Sequence, residues 1–150
     1  MTPQVYEYVK ALGLKGKVLD VGAYDINGSV RDLFDNYTGV DARVGPNVAF
    51  QMNAHHLHFM DESFDHVLCL ETLEHDPQFW VTVQEMRRVL RKGGVLVITV
   101  PGINFAKHEM PRDYWRFTTE GLKKLFGGMW PIVVTENHRG TGVYGHAVKK

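Results

Sequence analysis

The sequence predicts an α/β fold built on a doubly wound, mostly parallel sheet. Segments with strand and helix character alternate along most of the 150 residues. Two runs, Phe64–Leu70 and Val95–Val100, are almost continuously apolar. That pattern suits strands covered on both faces, which is the condition of a parallel sheet. A third run, Val18–Ser29, passes from apolar residues through Gly22 into polar residues. It reads as a buried strand, a tight loop and a helix entry.

Each element has its own signal. Residues 3–13 place Val5, Tyr8, Val9 and Leu12 on one helical face, with Gly13 as a stop. Lys17–Val21 is a short apolar strand. Ser29 is placed to cap a helix reaching Asp35, with Val30, Leu33 and Phe34 inward. Tyr37–Asp41 reads as a second strand, Val48–Met52 as a third and Phe64–Leu70 as a fourth. Pro77 opens an amphipathic helix whose expected core stripe is Trp80, Val83, Met86, Val89 and Leu90. Lys92-Gly93-Gly94 is expected to end it before the strand Val95–Val100. Thr118 or Thr119 caps a helix carrying Leu122, Leu125 and Phe126, closed by Gly127-Gly128. Ile132–Glu136 and Tyr144–Val148 complete the strands.

No repeat, low-complexity tract or linker interrupts the chain, so residues 1–150 are expected to form a single domain. The connection Ala42–Pro46 is too short for a helical crossover, which takes a dozen or so residues. The sheet should therefore lack helices near its third-strand edge, leaving that edge open to pair with another copy. Formal charge is zero, from 17 basic and 17 acidic side chains, which disfavours a nucleic-acid partner. The basic cluster Arg87-Arg88 to Arg91-Lys92 sits at a helix end, where it suits the helix dipole. The lone Cys69 lies in an apolar run and makes no internal disulfide. No run approaches the length needed to span a bilayer, and the first residues lack a signal-peptide pattern. The expected address is the cytoplasm, with no membrane partner.

Asp41 follows Asp20 by 21 positions. A glycine turn followed at that distance by an acid is the layout of a ribose-binding nucleotide fold. Five blocks in order then carry a resemblance: VLDVGAYDINGS, YTGVDAR, MNAHHLHFMDESFDHVLCLETLEH, EMRRVLRKGGVLVITVPG and HEMPRDYWRFTTEGLKKLF. The chain resembles the class I S-adenosylmethionine-dependent methyltransferases, in particular their small type 11 branch. The run Asp61–His75, followed by Leu90–Gly94 before a strand, is the most specific part.

The resemblance implies a Rossmann-like sheet with its last strand antiparallel and S-adenosylmethionine as cofactor. It implies that Asp20 orients the methionine end and that Gly22 lets the cofactor approach the backbone. Ala23, Tyr24 and Asp25 would line the loop, although Tyr24 and Ile26 stand where the family has small residues. Asp41 would accept both ribose hydroxyls, since one carboxylate takes two adjacent donors. Ala42 and Arg43 would flank the adenine, and Asn53, Ala54 and His55 would face its edge. Leu70 and Glu71 would lie beside the methionine and sulfonium. His75 would come near the methyl acceptor, with His108 and Tyr114 as further acceptor-side candidates on the loop Lys107–Arg116, a segment placed to act as a gate. These three are the expected catalytic residues.

The implied activity is in-line methyl transfer to a small-molecule acceptor. Such a reaction needs alignment and water exclusion more than a fixed catalytic dyad. A non-catalytic S-adenosylmethionine- or nucleotide-binding module, or a partner subunit, is the alternative. A nicotinamide oxidoreductase fits less well, because G-x-G-x-x-G is missing. No metal is expected. His55, His56 and His58 crowd together, but adjacent residues on an extended segment point apart and no partner stands at ligand spacing. Glu74 reads as a solvated first-turn charge.

Overall fold

A computed structural model describes residues 1–109 and 112–150. Helix α1 (Pro3–Ala11) precedes strand β1 (Lys17–Val21). Strands β2 (Asn36–Asp41), β3 (Phe50–Gln51) and β4 (Phe64–Leu70) follow. Helix α2 (Phe79–Val89) leads directly into β5 (Leu90–Pro101). Helix α3 (Thr119–Leu125) and strands β6 (Ile132–Glu136) and β7 (Gly142–Val148) end the chain. The sheet order is β3-β2-β1-β4-β5-β7-β6. Strands β1 to β5 pair in parallel, and β7 is antiparallel to both β5 and β6.

Both faces of the sheet are covered, as the apolar runs require. Val67 and Cys69 of β4 pack with Val83, Met86 and Val89 of α2 and Leu122 of α3. Leu68, between them, points the other way and packs with Val9 of α1, Val18, Val30 and Phe34. Thr2 caps α1, with its side chain accepting from the Val5 amide, and Thr118 caps α3 through the Gly121 amide.

Several elements differ from expectation. Ser29 starts no helix: its hydroxyl accepts from the Arg31 amide, and a single 3-10 turn, Arg31–Leu33, follows. Three inward residues separated by charges are too few to hold a longer helix here. The third strand shrinks to Phe50–Gln51 on the sheet edge. Helix α2 begins two residues after Pro77, where Asp76 Oδ1 accepts the Gln78 amide at 2.8 Å. Trp80 is 48% exposed and is not part of the core stripe, whereas Val83, Met86, Val89 and Leu90 are buried. Lys92-Gly93-Gly94 does not end the helix. Leu90 already pairs with Phe64, and Val95 with His66, so Arg91–Gly94 bulge out of β5. Gly93 takes φ 77° there, and a side chain at Gly94 would strike the Asp65 backbone.

Because β1, β2, β4 and β5 run in parallel, their C-terminal ends open on one side. That rim is where open α/β sheets bind ligands.

Candidate active site

The rim brings the predicted acids together with the loop after β1. Asp20 is buried, and Tyr37 donates to its Oδ2 at 2.7 Å. Burial pushes the Asp20 carboxyl up to about 6, against the lowering effect of the Tyr37 hydrogen bond. Gly22 turns the chain at φ 83°, and a side chain there would overlap Thr72. The expected free amides of this loop are taken internally. Gly22 and Ala23 both donate to Val40 O, at 2.9 and 3.0 Å, and Asp25 donates to Pro46 O. Asp25 Oδ1 in turn accepts the Gly28 amide at 2.7 Å.

Asp41 ends β2 with its carboxylate engaged by its neighbours. Oδ1 accepts from Arg43 N at 2.9 Å and Arg43 Nε at 3.2 Å, and Oδ2 accepts from Tyr24 N at 3.3 Å. The Arg43 guanidinium stands 4.2 Å above the Tyr24 ring. Tyr24 lies where a side chain at Gly45 would collide with it. Tyr24, Arg43 and Asp41 thus form one packed group, and Gly45 is the signal in the sequence that a ring needs that space. Ala42 carries the carbonyl that accepts Gln51 Nε2.

Asn53 Oδ1 accepts the His55 amide at 2.9 Å, placing Ala54 against the core. The His55 ring is held by Asp76, with Nε2 at 2.8 and 3.0 Å from the two carboxylate oxygens. Asp76, which also accepts from Thr82 Oγ1 at 2.6 Å, went unnoticed in the sequence.

Leu70 ends β4 beside Thr99 of β5. Glu71 follows at φ 50°, a strained backbone for a non-glycine residue, with its amide bonded to Thr99 O at 2.9 Å. Burial raises its carboxyl pKa. Among the described residues its Oε1 has no partner. Glu74 is a correction to the solvated reading: it is 1% exposed, and neither carboxylate oxygen has a hydrogen-bond partner among the described residues. A 3-10 turn, Leu73–His75, replaces the expected helix entry and turns this side chain inward. Burial, then the nearby Glu71, push the Glu74 carboxyl up to about 8.

The acceptor-side candidates sit against this turn. His75 Nδ1 lies 2.9 Å from Arg112 O, and its Nε2 lies 3.2 Å from His108 Nε2. The Tyr114 amide donates to Glu74 O at 2.7 Å. The Tyr114 side chain is 46% exposed beside a cleft of about 260 Å³ that Phe105, Asp113 and Arg116 also line. Asp113 is clamped by Arg116, which holds its carboxyl well below the usual range. Met110 and Pro111, within the expected gate Lys107–Arg116, lie outside the described residues. A larger cleft of about 360 Å³ lies at the opposite end of the sheet, along Leu14, Lys15 and Phe34–Asn36. It contains none of the predicted site residues.

This sheet order, with an acid at the end of each of β1 and β2, defines a class I S-adenosylmethionine-dependent methyltransferase. Residues 7–98 match the family described as "Methyltransferase domain", and the chain belongs to that family, its type 11 branch. An uncharacterised protein of Methanocaldococcus jannaschii is 38% identical over 63 residues, 41% of this chain. The match spans only 28% of that relative. Among solved structures, a Thermotoga maritima S-adenosylmethionine-dependent methyltransferase, described as a possible histamine N-methyltransferase, superposes with TM-score 0.76 at 22% identity. That match covers 97% of this chain and 87% of the other. The 1,6-didemethyltoxoflavin-N1-methyltransferase of Burkholderia thailandensis, solved with that substrate and S-adenosylhomocysteine, gives TM-score 0.78 at 19% identity. It covers 99% and 77% of the respective chains. S-adenosylmethionine is the cofactor of the family. The residues present fit it: Asp41 offers two carboxylate oxygens at the rim, and the buried, unpartnered Glu71 Oε1 faces the same end of the sheet.

Proposed function

We propose that this chain transfers the methyl group of S-adenosylmethionine to a small-molecule acceptor. The observation that carries the reading is the pair Asp20 and Asp41 at the ends of adjacent parallel strands, in a chain that belongs to a methyltransferase family. When bound, the cofactor supplies a methyl carbon already activated by its sulfonium. Asp20, Gly22, Ala23, Tyr24 and Asp25 would hold its methionine end, and Asp41 its ribose. Ala42, Arg43, Asn53, Ala54 and His55 would surround its adenine. Leu70 and Glu71 would stand beside the sulfonium. His75, His108 and Tyr114 would orient the acceptor across the rim. A lone acceptor proton has nearby imidazoles to receive it, and these titrate in the useful range. Residues 1–150 are taken to act as one methyltransferase-like domain. The two solved relatives named above are described by small-molecule substrates, which supports that acceptor class.

One observation favours a second reading, a non-catalytic binding module. Tyr24 and Arg43 already occupy the Asp41 carboxylate. Incubation with methyl-labelled cofactor and a small-molecule extract separates the two. Label appearing in a low-mass product is the expected result. Tight cofactor binding without any labelled product would support the module instead.

A further inference from the structure

We propose that Glu74, His75 and His108 form a binding site for one divalent transition-metal cation of the zinc class. One ligand atom from each residue falls within 4.8 Å of the other two. His75 Nε2 lies 3.6 Å from Glu74 Oε1 and 3.2 Å from His108 Nε2. Zinc bound at about 2.0–2.1 Å in a tetrahedron keeps its ligands about 3.3 Å apart. The two measured edges bracket that value.

The hydrogen bonds explain why a cation is needed. A carbonyl only accepts, so the bond from His75 Nδ1 to Arg112 O puts the proton on Nδ1. The Nε2 lone pair of neutral His75 then faces His108. A neutral His108 cannot answer it without a second conflict. With its proton on Nδ1, beside Asp113 Oδ2 at 3.3 Å, it opposes one Nε2 lone pair with another. With its proton on Nε2, it turns the Nδ1 lone pair toward the Asp113 carboxylate. The buried Glu74 carboxylate has no hydrogen-bond partner among the described residues. One cation between the three groups removes the conflict and satisfies Glu74.

The surroundings are those of a metal site. Each imidazole has an oxygen near its outer nitrogen, Arg112 O for His75 and Asp113 for His108, which fixes ring orientation. Asp113 is itself held by Arg116. Three protein ligands leave a fourth position open. In the function proposed above, on which this last step alone rests, the open position would take an oxygen or nitrogen atom of the acceptor. The crowded His56 and His58, with ring centroids 5.0 Å apart, lack a buried carboxylate and serve as the control.

The test is calorimetry of chelator-treated full-length protein with zinc alone, with magnesium as a second arm. Cobalt(II) absorption reports the geometry. The expected result is one zinc per chain with a dissociation constant of about 1 μM or below. The cobalt form should show the visible bands of a four-coordinate N/O site. Glu74→Gln and His108→Ala should each weaken zinc binding at least about tenfold, and His58→Ala should leave it unchanged. Circular dichroism confirms that each variant is folded. No zinc binding at about 100 μM, affinity unchanged in Glu74→Gln and His108→Ala, or affinity lost in His58→Ala would overturn the site. The first of these outcomes would mean that a proton alone resolves the conflict. S-adenosylhomocysteine is titrated separately into the metal-free protein. Zinc binding without it would overturn the proposed function and leave the metal site standing.

Discussion

At the scale of single residues, Tyr24 governs access to Asp41. Its ring rests on Gly45 and beneath Arg43, while its amide holds the carboxylate. Binding that must first displace this group is weakened by the cost of opening. Arg43→Ala should therefore bind S-adenosylhomocysteine a few-fold more tightly than the natural chain, by calorimetry. Asp20 gives a pH signature. Its carboxyl is raised to about 6 from an ordinary 3.8, so the folded state holds this proton more tightly than the unfolded chain. The resulting stabilisation is complete below about pH 4 and is lost as pH rises through about 6, a change of about 3 kcal/mol. Asp20→Asn should remove that part of the pH slope in denaturant titrations between pH 4 and 7, leaving the slopes from other carboxyls. The acids at 20 and 41 were legible in the sequence because their spacing reports a fold. Glu74 was not. Its burial depends on the short turn Leu73–His75 and on the loop that returns to cover it, neither of which leaves a periodic pattern.

At the scale of elements, apolar periodicity located the buried strands and missed the thin edge of the sheet. Strands β4 and β5 were readable because both faces are covered. The helix expected after Ser29 was overestimated because a cap residue signals a start without supplying the buried face a helix needs. Gly93-Gly94 read as a helix stop because a bulge and a C-cap use the same glycine chemistry. Helix α2 separates its two faces clearly. Met86 is fully buried against the sheet, so Met86→Ala should lower stability by about 2–5 kcal/mol. Trp80, exposed on the same helix, should change stability by no more than about 0.5 kcal/mol when replaced by alanine. Urea unfolding of the two variants checks both values.

At the scale of the whole molecule, the rim of the parallel strands gathers the acids, while the loop after β5 brings His108 and Tyr114 to the turn after β4. Among the described residues no helix is long and apolar enough to cross a membrane. Strand β3 is two residues long and ends the sheet, with Phe50 more than half exposed. An edge of that kind invites pairing with a second copy. Light scattering should give twice the chain mass, and Phe50→Lys should return the single-chain mass. The central claim remains that Asp41 holds a ribose at this rim. The most direct measurement is calorimetric titration of S-adenosylhomocysteine into the natural chain and into Asp41→Ala. Losing charged hydrogen bonds of about 1.5–3 kcal/mol should weaken binding by about 10- to 100-fold. Equal affinity in the two proteins, or no binding to the natural chain at about 1 mM, would contradict the account.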